Sequence, residues 1–146
     1  MSRIEQRFAE LRKAGRKGLV TYVTAGDPDL ARSAEIITRL DRAGADVLEI
    51  GVPFSDPLAD GPVIQRATER ALEAGANLTN VLEMLASIRS TVSAPVVIFS
   101  YANPILRMGL GRFVEQARAA GVDGVLTLDM PPEEGEEFRT AFSAAG

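Results

Sequence analysis

Asp46-Val47-Leu48-Glu49-Ile50-Gly51-Val52-Pro53-Phe54-Ser55-Asp56-Pro57-Leu58-Ala59-Asp60-Gly61-Pro62 reads as a strand, a stiff loop and the first residue of a helix. The run from Val47 to Ile50 is apolar except at Glu49, and Pro53, Pro57 and Gly61 fix the backbone that follows. Pro62 opens a helix to about residue 74, because proline at the first helical position gives up an N–H that has no helical partner anyway. Gly75 stops it. A strand feeding a helix, if repeated, implies a parallel sheet with right-handed crossovers.

The pattern does repeat on both sides. Ile4, Phe8 and Leu11 share a face of an amphipathic helix over residues 2–14, ended by Gly15. Residues 18–24 form a strand closed by Ala25-Gly26-Asp27-Pro28, and a helix over 29–43 places Ala34, Ile37 and Leu40 inward before Gly44. Downstream come a helix at 78–91, a strand at 95–101, a helix at 111–120, a strand at 124–129 and a final helix at 132–144 headed by glutamates, the sign that suits a helix N-terminus. Near-continuous apolar strands fit burial on both faces. Two α/β architectures meet this pattern, a doubly wound sheet and a (β/α)8 (TIM) barrel. No Gly-x-Gly-x-x-Gly follows the first strand, so the dinucleotide-binding version of the former loses its main support. The expectation is a single domain over 1–146, an N-terminal helix plus the first four β/α units of a TIM barrel, whose usual length is about 250 residues.

Composition narrows the chemistry. The chain has 46% hydrophobic residues and a net charge of −4, with no basic cluster beyond Arg12-Lys13 and Arg16-Lys17. A nucleic-acid or anionic-membrane surface is therefore not expected. No run is apolar for long enough to span a bilayer, and the charged first residues do not resemble a secretory signal, so the cytoplasm is the expected compartment. There is no cysteine and no histidine, and the only lysines, Lys13 and Lys17, precede the first strand. Thiolate chemistry, imidazole bases, His-ligated metals and a strand-end Schiff base are excluded within this chain. Carboxylates, hydroxyls, Tyr22 and Tyr101 are left to carry acid–base work.

Side chains alternate along a strand, so Val47, Glu49 and Gly51 share one face and Leu48 and Ile50 the other. If the first face is a barrel lumen, Glu49 stands at the carboxyl end of its strand, where such barrels keep their catalytic groups. An apolar lumen favours a neutral carboxyl able to donate a proton. Asp60 reads equally as a second functional acid or as the N-cap of the next helix. Asp56 reads as a turn former or partner contact, and Asp27 and Asp129 as turn or cap residues. Tyr22, Phe99, Tyr101, Leu126 and Leu128 can share the face of Glu49 and would suit a flat apolar ring.

The block from Leu48 to Gln65, together with Tyr22-Val23-Thr24-Ala25-Gly26-Asp27-Pro28, Ser100-Tyr101-Ala102-Asn103-Pro104 and Gly121-Val122-Asp123-Gly124-Val125-Leu126, resembles the tryptophan synthase alpha subunit family. The resemblance implies a lyase that cleaves indole-3-glycerol phosphate to indole and glyceraldehyde 3-phosphate. It implies Glu49 as general acid–base, Asp60 facing the indole N–H, and Tyr22, Phe99, Tyr101, Leu126 and Leu128 lining the indole pocket. It also implies a beta-subunit partner in a heterotetramer, met by Asp56, Pro57 and Asn103 with loops 53–60 and 102–108 nearby. Pyridoxal phosphate is expected on that partner only, and no metal or cofactor on this chain. The family's phosphate-binding turns lie beyond these four units, so weak binding and poor turnover are expected of the 146 residues alone. The alternatives are a non-catalytic half-barrel that dimerises or docks on a beta subunit, and another phosphate-handling barrel.

Overall fold

The computed structural model describes residues 1–146. The four apolar runs become β1 (Val20–Thr24), β2 (Val47–Gly51), β3 (Val96–Ser100) and β4 (Gly124–Thr127). They form one parallel sheet in the order β1-β2-β3-β4. A doubly wound sheet turns back on itself at a switch point. Here each strand lies beside its successor, the order of a barrel wall.

The helices are α1 (Arg3–Lys13), α2 (Leu30–Arg42), α3 (Pro62–Glu73), α4 (Leu78–Ile88), α5 (Ala102–Met108), α6 (Leu110–Ala119) and α7 (Glu136–Ala145), with a 3-10 turn at Arg89–Thr91. Their starts follow from local chemistry. Asp29 accepts the Arg32 N–H at the head of α2, Ser2 and Glu5 form a reciprocal capping box on α1, and Asn77 and Asn80 do the same on α4. Leu48, Ile50, Val96 and Ile98 project from the outer face of the sheet and are almost wholly buried, in one apolar cluster with Ile37 of α2, Val81 and Leu85 of α4 and Phe113 of α6. Each such side chain contributes roughly 1.5–3 kcal/mol on burial.

α1 runs under the amino ends of the strands. Gly18 and Gly124 make room for it: a Cβ on Gly18 would meet Leu11 at 2.9 Å, and one on Gly124 would meet Ile4 at 3.0 Å. Arg3 reaches the Asp123 carboxylate ahead of β4 at 3.1 Å and the Ser93 carbonyl ahead of β3 at 2.6 Å.

β1 starts at Val20 and α4 ends at Ile88, short of the 18 and 91 read from sequence, and three further differences bear on the site. Residues 102–108, read as a loop, are helical: Pro104 falls in the first turn, where a missing N–H costs nothing. The final helix begins at Glu136, not 132, because Pro131 to Gly135 turn first, with the Glu134 N–H on the Pro131 carbonyl at 3.0 Å. β4 stops at Thr127, so Leu128 and Asp129 lie just past it.

Candidate active site

Glu49 sits in the middle of β2 and not at its carboxyl end as expected, because the strand runs on through Ile50 and Gly51; Tyr22 of β1 and Val97 of β3 are its register partners. The next row on the same face is Thr24, Gly51, Phe99 and Leu126. This inner face carries no helix. Glu49 is half-buried there, Leu126 is exposed, and no cation pairs with Glu49: the ion pairs of the molecule use Asp27, Asp46, Asp123, Glu10, Glu35 and Glu136.

Gly51 is small for a reason. A Cβ on it would collide with the Tyr22 hydroxyl and ring, which lie across it. That ring meets Phe99 edge to face, centroids 5.3 Å apart, and Thr24 Oγ1 donates to its hydroxyl at 3.4 Å. Burial pushes the Tyr22 phenol above its ordinary range; the Thr24 hydrogen bond opposes this, and the carboxylates of Asp60 and Glu49 add to the rise. Tyr22 is therefore a neutral phenol at physiological pH.

Asp60 reaches the same mouth from the loop after β2. Its N–H donates to the Pro57 carbonyl at 3.1 Å, and its own carbonyl accepts from Gln65 Nε2 at 2.8 Å. Tyr101 donates its hydroxyl to Asp60 Oδ2 at 3.0 Å and accepts the Ala59 N–H at 2.9 Å. The N-cap of α3 is Gly61, with no side-chain capping bond. Asp60 is thus not the helix cap that its sequence position allowed, and its carboxylate turns to Tyr101. The Tyr101 phenol is held above its usual range, chiefly by burial; the Ala59 N–H opposes the rise, and Asp60 and then Asp129 reinforce it.

Past the strand ends, Asp56 is exposed and accepts from Ser55 Oγ at 3.0 Å, Pro57 is half-buried, and Asn103 is exposed on α5. Asp56, Tyr101, Asn103, Leu128 and Asp129 border one cleft of about 320 Å³. Asp129 caps α5, accepting the Ala102 N–H at 2.7 Å. Asp27 pairs with Arg70 of α3 through two contacts of 2.8 Å, which holds its carboxyl below the usual range.

Tyr22, Glu49, Phe99 and Leu126 come together on the inner face, and Tyr101 and Leu128 sit at the ends of their strands rather than within them. Sequence reasoning missed Gln65, the Ala59 N–H, the tilted contact of Phe54 with Tyr101 at 5.3 Å, and the space left by Gly51. Only Gly51 left a trace, as the sole glycine within β2.

Fold and site define part of a (β/α)8 barrel with unpaired carboxylates over its carboxyl-end mouth. Residues 8–146 match the family described as tryptophan synthase alpha chain. The chain is 53% identical over 146 residues to the tryptophan synthase alpha chain of Geobacter sulfurreducens, and 56% identical over 147 residues to that of Burkholderia multivorans. All of the chain is matched in both, against 55% and 54% of the relatives. Tryptophan synthase subunit alpha from Legionella pneumophila superposes with a TM-score of 0.97 at 42% identity, covering 100% of this chain and 56% of that one. An aminoacrylate-bound tryptophan synthase from M. tuberculosis gives 0.94 at 36%, covering 99% and 59%. This chain belongs to the tryptophan synthase alpha chain family, and it spans about half the length of the curated relatives it matches.

Proposed function

We propose that residues 1–146, as one domain, supply the acid–base half of an indole-3-glycerol phosphate lyase, the retro-aldol step of tryptophan biosynthesis. The observation that carries this reading is the pairing of two acids over one mouth: Glu49, free of any cation, on the inner face, and Asp60, anchored by Tyr101 through one carboxylate oxygen. In this reading Glu49 delivers a proton to indole C3 and removes the proton of the hydroxyl on the adjacent carbon. The carbon–carbon bond then breaks, its electron pair returns to the ring, the hydroxyl carbon becomes the aldehyde, and indole leaves. Asp60, with Oδ1 still open, accepts the indole N–H and stabilises positive charge spreading onto that nitrogen. Tyr22, Phe99, Leu126 and Leu128 bound the ring, and Tyr101 bounds it from the loop side.

Asp56, Pro57 and Asn103 face a beta subunit in this reading. The exposed apolar side chains beside them, Leu58 at 92% and Leu106 at 56%, support a protein partner there. The pyridoxal phosphate chemistry that consumes indole belongs to that partner. No helix is long and apolar enough to cross a membrane, which suits the cytoplasm.

The test is indole release from indole-3-glycerol phosphate by this chain combined with the remaining segment of the Geobacter sulfurreducens relative. Glu49→Gln is expected to lower the rate by a factor of roughly 10²–10⁴. An assembled, active barrel whose rate ignored that substitution would defeat the proposal.

A further inference from the structure

Asp60 hangs on a loop, and an aspartate has two side-chain torsions to lose before it can meet one N–H in one place. Its backbone is tied at both ends, by the Pro57 carbonyl and by Gln65, yet neither contact fixes the carboxylate. One group does. The Tyr101 hydroxyl donates to Asp60 Oδ2 at 3.0 Å while accepting the neighbouring Ala59 N–H at 2.9 Å. A single oxygen thereby sets both the loop and the torsion of the acid it carries.

Tyr101 is itself fixed. It is 4% exposed, its ring lies against Phe54, and it is the N-cap residue of α5, whose first N–H is held by Asp129. A hydroxyl buried to this degree needs partners, and both of its partners are in the Asp60 loop. If Tyr101 served only as an apolar wall, phenylalanine would do the same work and the hydroxyl would be a liability.

We infer that Tyr101 is a positioning residue: its hydroxyl locks Asp60 so that Oδ2 is occupied and Oδ1 is presented to a substrate N–H. The inference rests on the role proposed above for Asp60. It places the loops after β2, β3 and β4 in one linkage, Asp60 to Tyr101 to α5 to Asp129.

The chain carries only two tyrosines and no tryptophan, which makes the contact measurable by absorbance. In a Tyr22→Phe background, an alkaline titration reads Tyr101 alone. Asp60→Asn is expected to move its midpoint down, toward the ordinary phenol range, because it removes the negative acceptor. An unmoved midpoint would overturn the contact, and this arm does not depend on Tyr101 variants folding. In the second arm, indole itself is titrated into the 146-residue chain and followed by its own fluorescence. Tyr101→Phe and Asp60→Asn are each expected to weaken indole binding about tenfold, and the double variant to be no worse than either. Additive losses would mean that the Tyr101 hydroxyl acts on indole independently of Asp60, which overturns the positioning role. A lowered Tyr101 midpoint with indole binding indifferent to Asp60→Asn would instead overturn the reading of Asp60 as the N–H acceptor, while the bond to Tyr101 stood.

Discussion

The two ends of the sheet treat their acids differently. At the amino end, Asp46, Asp123 and Asp41 are each consumed by structure. Asp46 takes Arg16 and the Leu19 N–H, Asp123 takes Arg3, Arg89 and the Val96 N–H, and Asp41 takes the N–H groups of Ser93 and Ala94. On the inner face and past the carboxyl end, Glu49 has no cation partner and Asp60 has a neutral one, while Asp27 is paired to an arginine and Asp129 caps α5. A carboxylate surrounded by cations and N–H groups is fixed in its charge and orientation, and it stabilises the fold. One held by a phenol, or by nothing, has no such anchor. Asp46, just ahead of β2, and Glu49, at its middle, are three residues apart, so the two treatments meet within one strand.

The sharpest way to break the contrast is to neutralise one acid at each end. Glu49→Gln is expected to cost a factor of roughly 10²–10⁴ in indole release and under about 0.5 kcal/mol in a urea titration. Asp46→Asn is expected to do the reverse: about 3 kcal/mol of stability lost in the same titration, since a buried carboxylate with two charge-assisted contacts disappears, and indole affinity unchanged. If both variants lost stability alike, the ends would not differ.

Gly51→Ala sharpens the comparison from within β2. The added methyl collides with the Tyr22 ring, so about 2 kcal/mol of destabilisation is expected from thermal unfolding, and in a Tyr22→Ala background the same substitution should cost little beyond Tyr22→Ala alone.

The smallest effect is one of pH. Arg16, and after it the Leu19 N–H, hold the Asp46 carboxyl below its ordinary value of 3.8. A depressed folded value means that its contribution is complete above that ordinary value and declines as pH falls from there toward the lowered one. Acid unfolding followed by circular dichroism should therefore lose a component below about pH 4 that Asp46→Asn lacks. A variant with the parent's acid profile would remove Asp46 from the ledger of amino-end anchors.

Much of this was legible in the residues. Alternation allowed Tyr22, Glu49, Phe99, Tyr101, Leu126 and Leu128 to share a face but left the phase between strands open; the register puts Tyr22, Glu49, Phe99 and Leu126 there, and Tyr101 and Leu128 fall past their strand ends. α5 and the delayed start of α7 were not legible. A proline in a first turn and a proline pair before a glutamate run look alike in sequence, and the cap that secures α5 comes from Asp129, a residue 27 positions away. Asp60 was undecidable for the same reason. Whether an aspartate before Gly-Pro caps its own helix depends on a tyrosine 41 residues later.

The clasp between Arg3 and Asp123 bears on how the chain assembles. Neighbouring strands are also neighbours in sequence, so the sheet can grow one unit at a time through loops of moderate length. The first turn of α1 does not follow that schedule. Its anchor lies 120 residues downstream, just ahead of the last strand, and closing so long a loop costs most when little else is in place. The Arg3 turn thus gains its anchor only when β4 is present, whereas Arg7 and Leu11 of the same helix already meet Asp46 and Gly18 beside β1 and β2.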